Sequence, residues 1–455
     1  MSYPCDFSIT SVQRLPQRNF KMWRFVTVVF CIHVASCLVF YQPEQIHLSY
    51  GDVPNTIVVT WSTLNNTGKS VVEYGIGGLI LEAKGTSKIF QSAGSLERIQ
   101  YIHRVVLANL TWDSIYVYHC GNPDYGWSEL FRFRVSPDPE GPVQWVPSLA
   151  VFGDMGNENA VSLPFLQEEV QRGMYDAIIH VGDFAYDMNT ENGTVGDEFM
   201  NQIQPVAAYV PYMTCPGNHE EANNFSEYRA RFSMPGDTEG LFYSFNMGPV
   251  HFVSISTEVY YFLEYGLKVL ANQFEWLLND LKEANRPENR AVRPWIVVYG
   301  HRPMYCSNNN TDDCTFYGTL TRIGLPVVKW FGLEEVFCQY GVDLLIWAHE
   351  HSYERLWPIY NYVVRNGSYE APYRNPRAPV HVTTGSAGCE ELHDNFTEEA
   401  PSWSAFRSKD YGYMRVKIFN ASHLYMEQIS IDLEGAVVDH LWLVRDEHGP
   451  FECSG

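Results

Sequence analysis

The sequence predicts an N-terminal β-sandwich followed by a layered α/β domain, and three observations carry that reading. Residues 43–140 hold short β-branched and aromatic runs with no helical period. From Val146 onward, apolar runs alternate with segments of helical period. Most of those later runs end in a tight turn that delivers Asp, Asn or His. A chain of 455 residues is long enough for two or three domains and a large core. A net charge of −22 argues against a nucleic-acid backbone as the partner, which needs clustered lysine and arginine. It leaves phosphorylated substrates open, because a bound metal reverses the local field.

Residues 1–41 read as a secretory signal. Arg14, Arg18, Lys21 and Arg24 precede the apolar stretch "FVTVVFCIHVASCLVF", with Ala35 and Ser36 near its end. Cleavage is expected around 36–41, and Met22 is an alternative start. The stretch is short for a bilayer span, so no stable membrane span is expected after cleavage. A secreted protein, extracellular or lysosomal, is the resulting expectation. Glycosylation sequons at Asn65, Asn109, Asn192, Asn224, Asn309, Asn366, Asn395 and Asn420 agree with that route. Beyond the signal, cysteines stand at 120, 215, 306, 314, 338, 389 and 453, an odd number that leaves at least one thiol without an intrachain partner. Cys306 and Cys314 flank a short polar loop and are expected to form a disulfide.

Within 42–140, "TIVVTWST", "SVVEYG", "HRVVLANL", "SIYVYHC" and "LFRFRV" are separated by Gly, Asn and Asp, the pattern of a β-sandwich. "SPDPEGP" at 136–142 reads as a linker into a second domain over 141–455. There "SLAVFGDMG" precedes the helical spacing of Leu163, Leu166, Val170 and Met174. "YDAIIHVGDFAYD", "YMTCPGNHE" and "HFVSIST" follow, then a helix through Phe274, Leu277, Leu278 and Leu281. "PWIVVYGH", the helix "GLEEVFCQY", "VDLLIWAHEH" and "VHVTTGSAG" complete the alternation. The C-terminal runs "YMRVKIF" and "HLWLVRD" suggest a mixed sheet.

The chemistry sits just past the apolar runs. Asp154 follows "SLAVFG", Asp183 follows "AIIHVG", and Asn218 and His219 follow "MTCPG"; His301 follows "IVVYG", and His349 and His351 follow "LLIWA". Ligands of α/β sheets bind outside the carboxyl ends of the strands, so these residues are expected on one edge. Any one of them has a plainer explanation, such as a turn former or a helix cap. Together they form an oxygen and nitrogen donor set without thiolate, suited to zinc, iron or manganese and too large for one four-coordinate ion. Two metals sharing a carboxylate form the usual clamp for phosphoester hydrolysis.

The series "GDMG", "GDFAYD", "GNHE", "GHRP" and "AHEHSYER" resembles the metallophosphoesterase superfamily. Tyr186, three residues after Asp183, makes it similar to the purple acid phosphatases in particular, over roughly residues 43–445. Stretches such as "PYMTCPGNHEE" and "WAHEHSYERLWPIYNY" are most similar to animal acid phosphatases of that family. The resemblance implies a metallophosphoesterase sandwich preceded by a fibronectin III-like domain. It implies a ferric ion bound by Asp154, Asp183, Tyr186 and His351. A second metal, zinc or else iron or manganese, would be bound by Asp183, Asn218, His301 and His349. His219 would approach the phosphate and assist the leaving group. The implied reaction is hydrolysis of a phosphate monoester, on a small molecule or a phosphoprotein, by hydroxide generated at the dinuclear centre. A ferric ion acidifies bound water more than a divalent one, so such hydroxide persists into acidic media.

The family pattern is broken at one place. Many members carry a further histidine after the "GH" block, but "RPMYCSNNNTDDC" has none, so Asn308, Asn309 or Asn310 is expected there. The competing readings are a dimetal phosphodiesterase or nucleotide pyrophosphatase and a non-catalytic secreted binding protein. The second is disfavoured because no ligand of the set is missing.

Overall fold

The computed structural model describes residues 39–92, 94–139, 141 and 145–453. Residues 1–38 of the expected signal, positions 140 and 142 of the expected linker, and 143–144 after it lie outside the described residues. The first unit contains β1 (Glu44–Tyr50), β2 (Ile57–Thr63), β3 (Ser70–Gly75), β4 (Leu81–Gln91), β5 (Ile99–Leu107), β6 (Ile115–Asn122), β7 (Gly126–Trp127) and β8 (Phe131–Arg134). They run in the order β1-β2-β5-β4-β3-β6-β7, with β8 paired to β6. The long β4 pairs with β5 through Thr86–Gln91 and with β3 through residues 81–85, so one strand serves two layers. Ile46, Val59, Trp61, Val105, Tyr118 and Phe133 fill the space between them. This is the sandwich that the alternating runs predict.

The sandwich docks on the second unit through buried polar groups rather than apolar contact alone. Arg231, 1% exposed, donates to Glu227 Oε2 at 2.9 Å, Asp197 Oδ1 at 2.7 Å and Gln45 Oε1 at 3.2 Å. Gln100 of β5 donates to the same Asp197 oxygen at 2.6 Å. The Tyr118 hydroxyl donates to the Ala208 carbonyl at 2.7 Å. A buried guanidinium needs such complete pairing, because a charge left alone there costs several kcal/mol, about 3–5.

In the second unit, β9 (Ser148–Phe152), α1 (Leu163–Gln171), β10 (Ala177–Val181), α2 (Thr190–Ala207), β11 (Tyr212–Cys215) and α3 (Ala222–Arg231) come first. Next are β12 (Tyr243–Met247), β13 (Val250–Ser254), α4 (Leu267–Ala284), β14 (Trp295–Tyr299), α5 (Glu334–Gln339) and β15 (Leu344–Trp347). They are followed by β16 (Tyr353–Leu356), the β17–β18 hairpin (Ile359–Tyr360 and Val363–Val364), β19 (Val380–Thr384), β20 (Ser404–Ser408), β21 (Gly412–Ile418), β22 (His423–Ser430) and β23 (Ala436–Val444). Two mixed sheets result, ordered β11-β10-β9-β21-β22-β23 and β12-β13-β14-β15-β19-β16-β20.

Both central strand sets are parallel: β9, β10 and β11 in one sheet, and β13, β14, β15 and β19 in the other. The period of two along a strand sorts their side chains. Leu149, Val151, Trp295, Val297, Leu344 and Ile346 meet between the sheets. Ala150, Phe152 and Ile178 face α1 and α2, while Val253, Ile296, Val298 and Leu345 face α4 and α5. Being covered on both sides, these strands read as continuous apolar runs. Cys306 is joined to Cys314 and Cys338 to Cys453. Cys120, Cys215 and Cys389 are free and buried. No helix of the described residues is long and apolar enough to cross a membrane.

Several histidines are built into the core as neutral rings. Burial pulls His47 and His103 down to about 4 and His381 to about 3. His103 lies 4.9 Å from the Trp61 ring in a stack and meets the hydroxyls of Thr63 and Ser70 at 2.8 Å each. A depressed histidine supports the fold fully above its unfolded value, near 6.5, and loses that support as pH falls toward its folded value. His103 alone corresponds to about 3 kcal/mol lost between those limits. The variant His103→Gln should be less stable than wild type at pH 7 but lose less stability between pH 7 and 4. Urea unfolding midpoints at the two pH values measure this; equal losses in both proteins would exclude His103 as a contributor.

Candidate metal centre

The carboxyl ends of the parallel strands of both sheets open on one cleft, and the turns there are strained. Asp154, Asp183, Tyr186 and His349 all have left-handed backbones, with φ of 57°, 51°, 53° and 70°. Such values are uncommon outside glycine and cluster where structure is held for function. Glycine is required beside them. A β-carbon on Gly217 would lie 2.1 Å from Asp183 Oδ1, and one on Gly182 would lie 2.6 Å from His301 Nδ1.

Asp154, Asp183 and His301 are at most 1% exposed, and Tyr186 and His351 are 7% exposed. Asp183 stands centrally: its Oδ2 is 3.1 Å from His301 Nε2, and its Oδ1 accepts from the His219 amide at 3.0 Å. His301 Nε2 also lies 3.1 Å from Asn218 Oδ1 and 3.2 Å from His349 Nδ1. On the other side, the Tyr186 hydroxyl is 2.8 Å from His351 Nε2, and Asp154 Oδ1 is 3.7 Å from that nitrogen. Asp154 Oδ1 is 4.0 Å from His301 Nε2, which links the halves. The seven residues Asp154, Asp183, Tyr186, Asn218, His301, His349 and His351 therefore converge. His219 stands beside them, its Nδ1 3.0 Å from Asp187 Oδ1 and its ring 4.5 Å from that of Tyr186.

The electrostatics of this cluster call for a cation. Burial, and then the neighbouring Asp183, push the Asp154 carboxyl well above its usual range. Burial would raise Asp183 too, but the imidazoles of His301, His219 and His349 carry it below the usual range. Burial opposes a charge on His301, yet Asp183 lifts it to about 9. Burial, then Asp154 and Asp183, raise the Tyr186 phenol. Asp154 Oδ1 is fully buried with no hydrogen-bond partner. An acceptor orphaned among carboxylates and imidazoles is costly unless a cation meets it. Ligand atoms of Asp183, His301 and His349 lie within 4.8 Å of one another, close enough to share one ion. The donor set fits hard or borderline first-row metals.

Residues not singled out in the sequence hold this cluster in place. Glu220, the last residue of "GNHE", accepts from the amides of Asp183 at 2.9 Å, Gly217 at 2.8 Å and Phe184 at 3.0 Å, locking two metal-side turns together. The asparagines expected after "GHRP" make their hydrogen bonds outside the seven-residue cluster. Asn308 donates to Ser352 at 3.0 Å and Asn310 to Glu350 at 2.9 Å, and Asn309 is exposed. It is Asp312 that reaches the cluster, with Oδ2 2.9 Å from His349 Nε2. Of the sequon asparagines, Asn109, Asn309, Asn395 and Asn420 are exposed, and Asn65, Asn192, Asn224 and Asn366 are half-buried.

The chain is similar to known proteins along most of its length. Residues 43–135 match the purple acid phosphatase N-terminal domain, residues 147–353 the calcineurin-like phosphoesterase family, and residues 378–440 the iron/zinc purple acid phosphatase-like protein C family. Acid phosphatase type 7 of Danio rerio is 60% identical over 415 residues, 90% of this chain and 93% of that protein. Acid phosphatase type 7 of Homo sapiens is 54% identical over 410 residues, 90% of this chain and 92% of its own length. A purple acid phosphatase from yellow lupin (Lupinus luteus) seeds shares the fold with a TM-score of 0.74 at 24% identity, covering 89% of this chain and 75% of that one. With all three family segments in order and 54–60% identity to the type 7 relatives over 90% of its length, this chain belongs to the purple acid phosphatase family.

Proposed function

We propose that this protein is a secreted acid phosphatase that hydrolyses phosphate monoesters at a ferric ion paired with zinc, or with iron or manganese in zinc's place. The observation that carries the reading is the orphaned oxygen of Asp154 facing Tyr186, His351 and the Asp183–His301 pair. Asp154, Asp183, Tyr186 and His351 would hold the ferric ion; Asp183, Asn218, His301 and His349 would hold the second metal. A phenolate oxygen is a hard anionic donor, which favours the ferric state. The exposed sequon asparagines Asn109, Asn309, Asn395 and Asn420 suit an exported chain, and the substrate is a small phosphomonoester or a phosphoprotein.

When bound, the metal pair supplies an acidified water and Lewis-acid stabilisation of the phosphoryl oxygens. The chain's own groups set the stage for it. His301 Nδ1–H donates to the Val181 carbonyl at 2.9 Å and His351 Nδ1–H to the Leu392 carbonyl at 2.9 Å. Both rings thereby aim Nε2 into the cleft, and it is this nitrogen that would bind a metal once its proton is displaced. Burial would lower His219, but Asp183 and its hydrogen bond to Asp187 raise it, keeping a proton available at the cleft wall. A protonated His219 is placed to donate to the leaving oxygen as the ester bond breaks.

Purified protein should absorb visible light through the iron-bound phenolate, and Tyr186→Phe should bleach that band; an unchanged spectrum in the variant would refute the iron assignment. Asn218→Ala should lose most of the second metal and lower kcat on phosphomonoesters by about 100-fold or more. Metal analysis and steady-state rates check this, and wild-type values would move the second metal elsewhere. Rates on monoesters well above those on diesters are expected from acidic to neutral pH, and the reverse preference would favour a phosphodiesterase.

A further inference from the structure

The turn at 419–422, between β21 and β22, is fixed from three sides. The Trp295 indole N–H donates to the Asn420 carbonyl at 2.9 Å, His448 Nε2–H to the Ala421 carbonyl at 2.8 Å, and the Arg445 amide to the Ser422 carbonyl at 2.9 Å. The Asn420 side chain is held as firmly. Its Oδ1 accepts from the amides of Ser422 at 2.8 Å and His423 at 3.0 Å, and from the Ser422 hydroxyl at 3.0 Å. Asn420 is nonetheless exposed. With its oxygen turned into the loop, the carboxamide presents Nδ2 outward, and Nδ2 is the atom that takes a sugar in the sequon formed by Asn420, Ala421 and Ser422.

The residues around Asn420 lead to one aromatic platform. The Phe419 ring lies 5.0 Å from that of Trp442, and the His423 ring 6.2 Å from it. Tyr425, opposite Trp442 in the β22–β23 register, leans on the same indole at 4.9 Å. These rings stand on the solvent side of the sheet, because Leu424, Met426, Leu441 and Leu443 take the alternate positions in the core. Trp442 remains 44% exposed. An exposed apolar cluster of this kind marks a contact surface. A pyranose suits it, since slightly positive C–H groups of the sugar rest well on the electron-rich face of an indole. The covalent acceptor lies at the margin of the platform, so the occupant is carried by the chain itself.

We propose that Asn420 carries an N-linked glycan whose first N-acetylglucosamine packs against Trp442 and Phe419. In the attachment step, Nδ2 displaces diphosphate from C1 of a lipid diphosphate-linked oligosaccharide. A C–N bond replaces the C–O bond, whose electron pair leaves with the diphosphate, as does the Nδ2 proton. Oδ1 keeps its lone pairs, so the hydrogen bonds of the turn survive the new bond. The proposal rests on export, which belongs to the function proposed above.

The test uses the full chain secreted from eukaryotic cells and trimmed to one sugar per occupied site, with peptide mass spectrometry reading occupancy at each sequon. Asn420→Asp keeps the acceptor oxygen of the turn but offers no Nδ2. It should melt about 2 °C or more below wild type, and this difference should vanish in a Trp442→Ala background. Enzymatic release of the Asn420 sugar from native protein should be about 2- to 10-fold faster in Trp442→Ala than in wild type, with Trp442→Phe between them. Phosphatase activity should be unchanged in every variant. A bare Asn420 beside occupied sequons elsewhere, or equal melting and equal release across the variants, would overturn the proposal alone. Sugar at none of the eight sequons would overturn export, the reading beneath it.

Discussion

Everything at the centre depends on keeping Asp154 and Asp183 buried in the same cleft. Two carboxylates in so little water repel each other, and only a dense surround of compensating groups makes the arrangement tolerable. The two sheets provide that surround from opposite sides. The β9–β10–β11 set delivers the carboxylates, Tyr186 and Asn218, while the β14–β15 pair delivers three imidazoles. Neither sheet alone holds a complete donor set, so packing the sheets together and assembling the centre are one event.

Much of this was legible in the chain because the relevant strands are covered on both faces. A buried parallel strand reads as an unbroken apolar run, and the polar residue that stops it is conspicuous, as with "AIIHVGD" before Asp183 and "IVVYGH" before His301. Other parts were not legible for physical reasons. The helix Thr190–Ala207 contains Gly193, Gly196 and Pro205 and has left-handed residues at 191–193, so it carries weak propensity and no clean apolar stripe. Glu220 looked like one more polar residue in a turn, since its role is to bind amides that lie 36 and 37 positions away. Asp312 was hidden among polar loop residues, because only the cross-link and the contact with His349 distinguish it from its neighbours.

The N-terminal sandwich holds none of the seven converging side chains, yet it is tied closely to the catalytic unit. Arg231, at the end of α3, is satisfied partly by Gln45 of β1, and Asp197 of α2 by Gln100 of β5. Helix α3 begins two residues after Glu220, so the interdomain network and the metal-side turns share one short stretch of chain. The sandwich therefore buttresses the helix that follows the "GNHE" turn rather than merely accompanying the enzyme.

The left-handed backbones at Asp154, Asp183, Tyr186 and His349 bear on how the protein persists in its surroundings. Each costs of order 1–3 kcal/mol, and together with the like-charged carboxylates they make a vacant centre a weak point of the fold. An ion bound at about a thousand times its dissociation constant adds about 4 kcal/mol to the native state and none to the unfolded one. Scarcity of the metal would then reduce how many molecules survive proteolysis, beyond silencing those that remain.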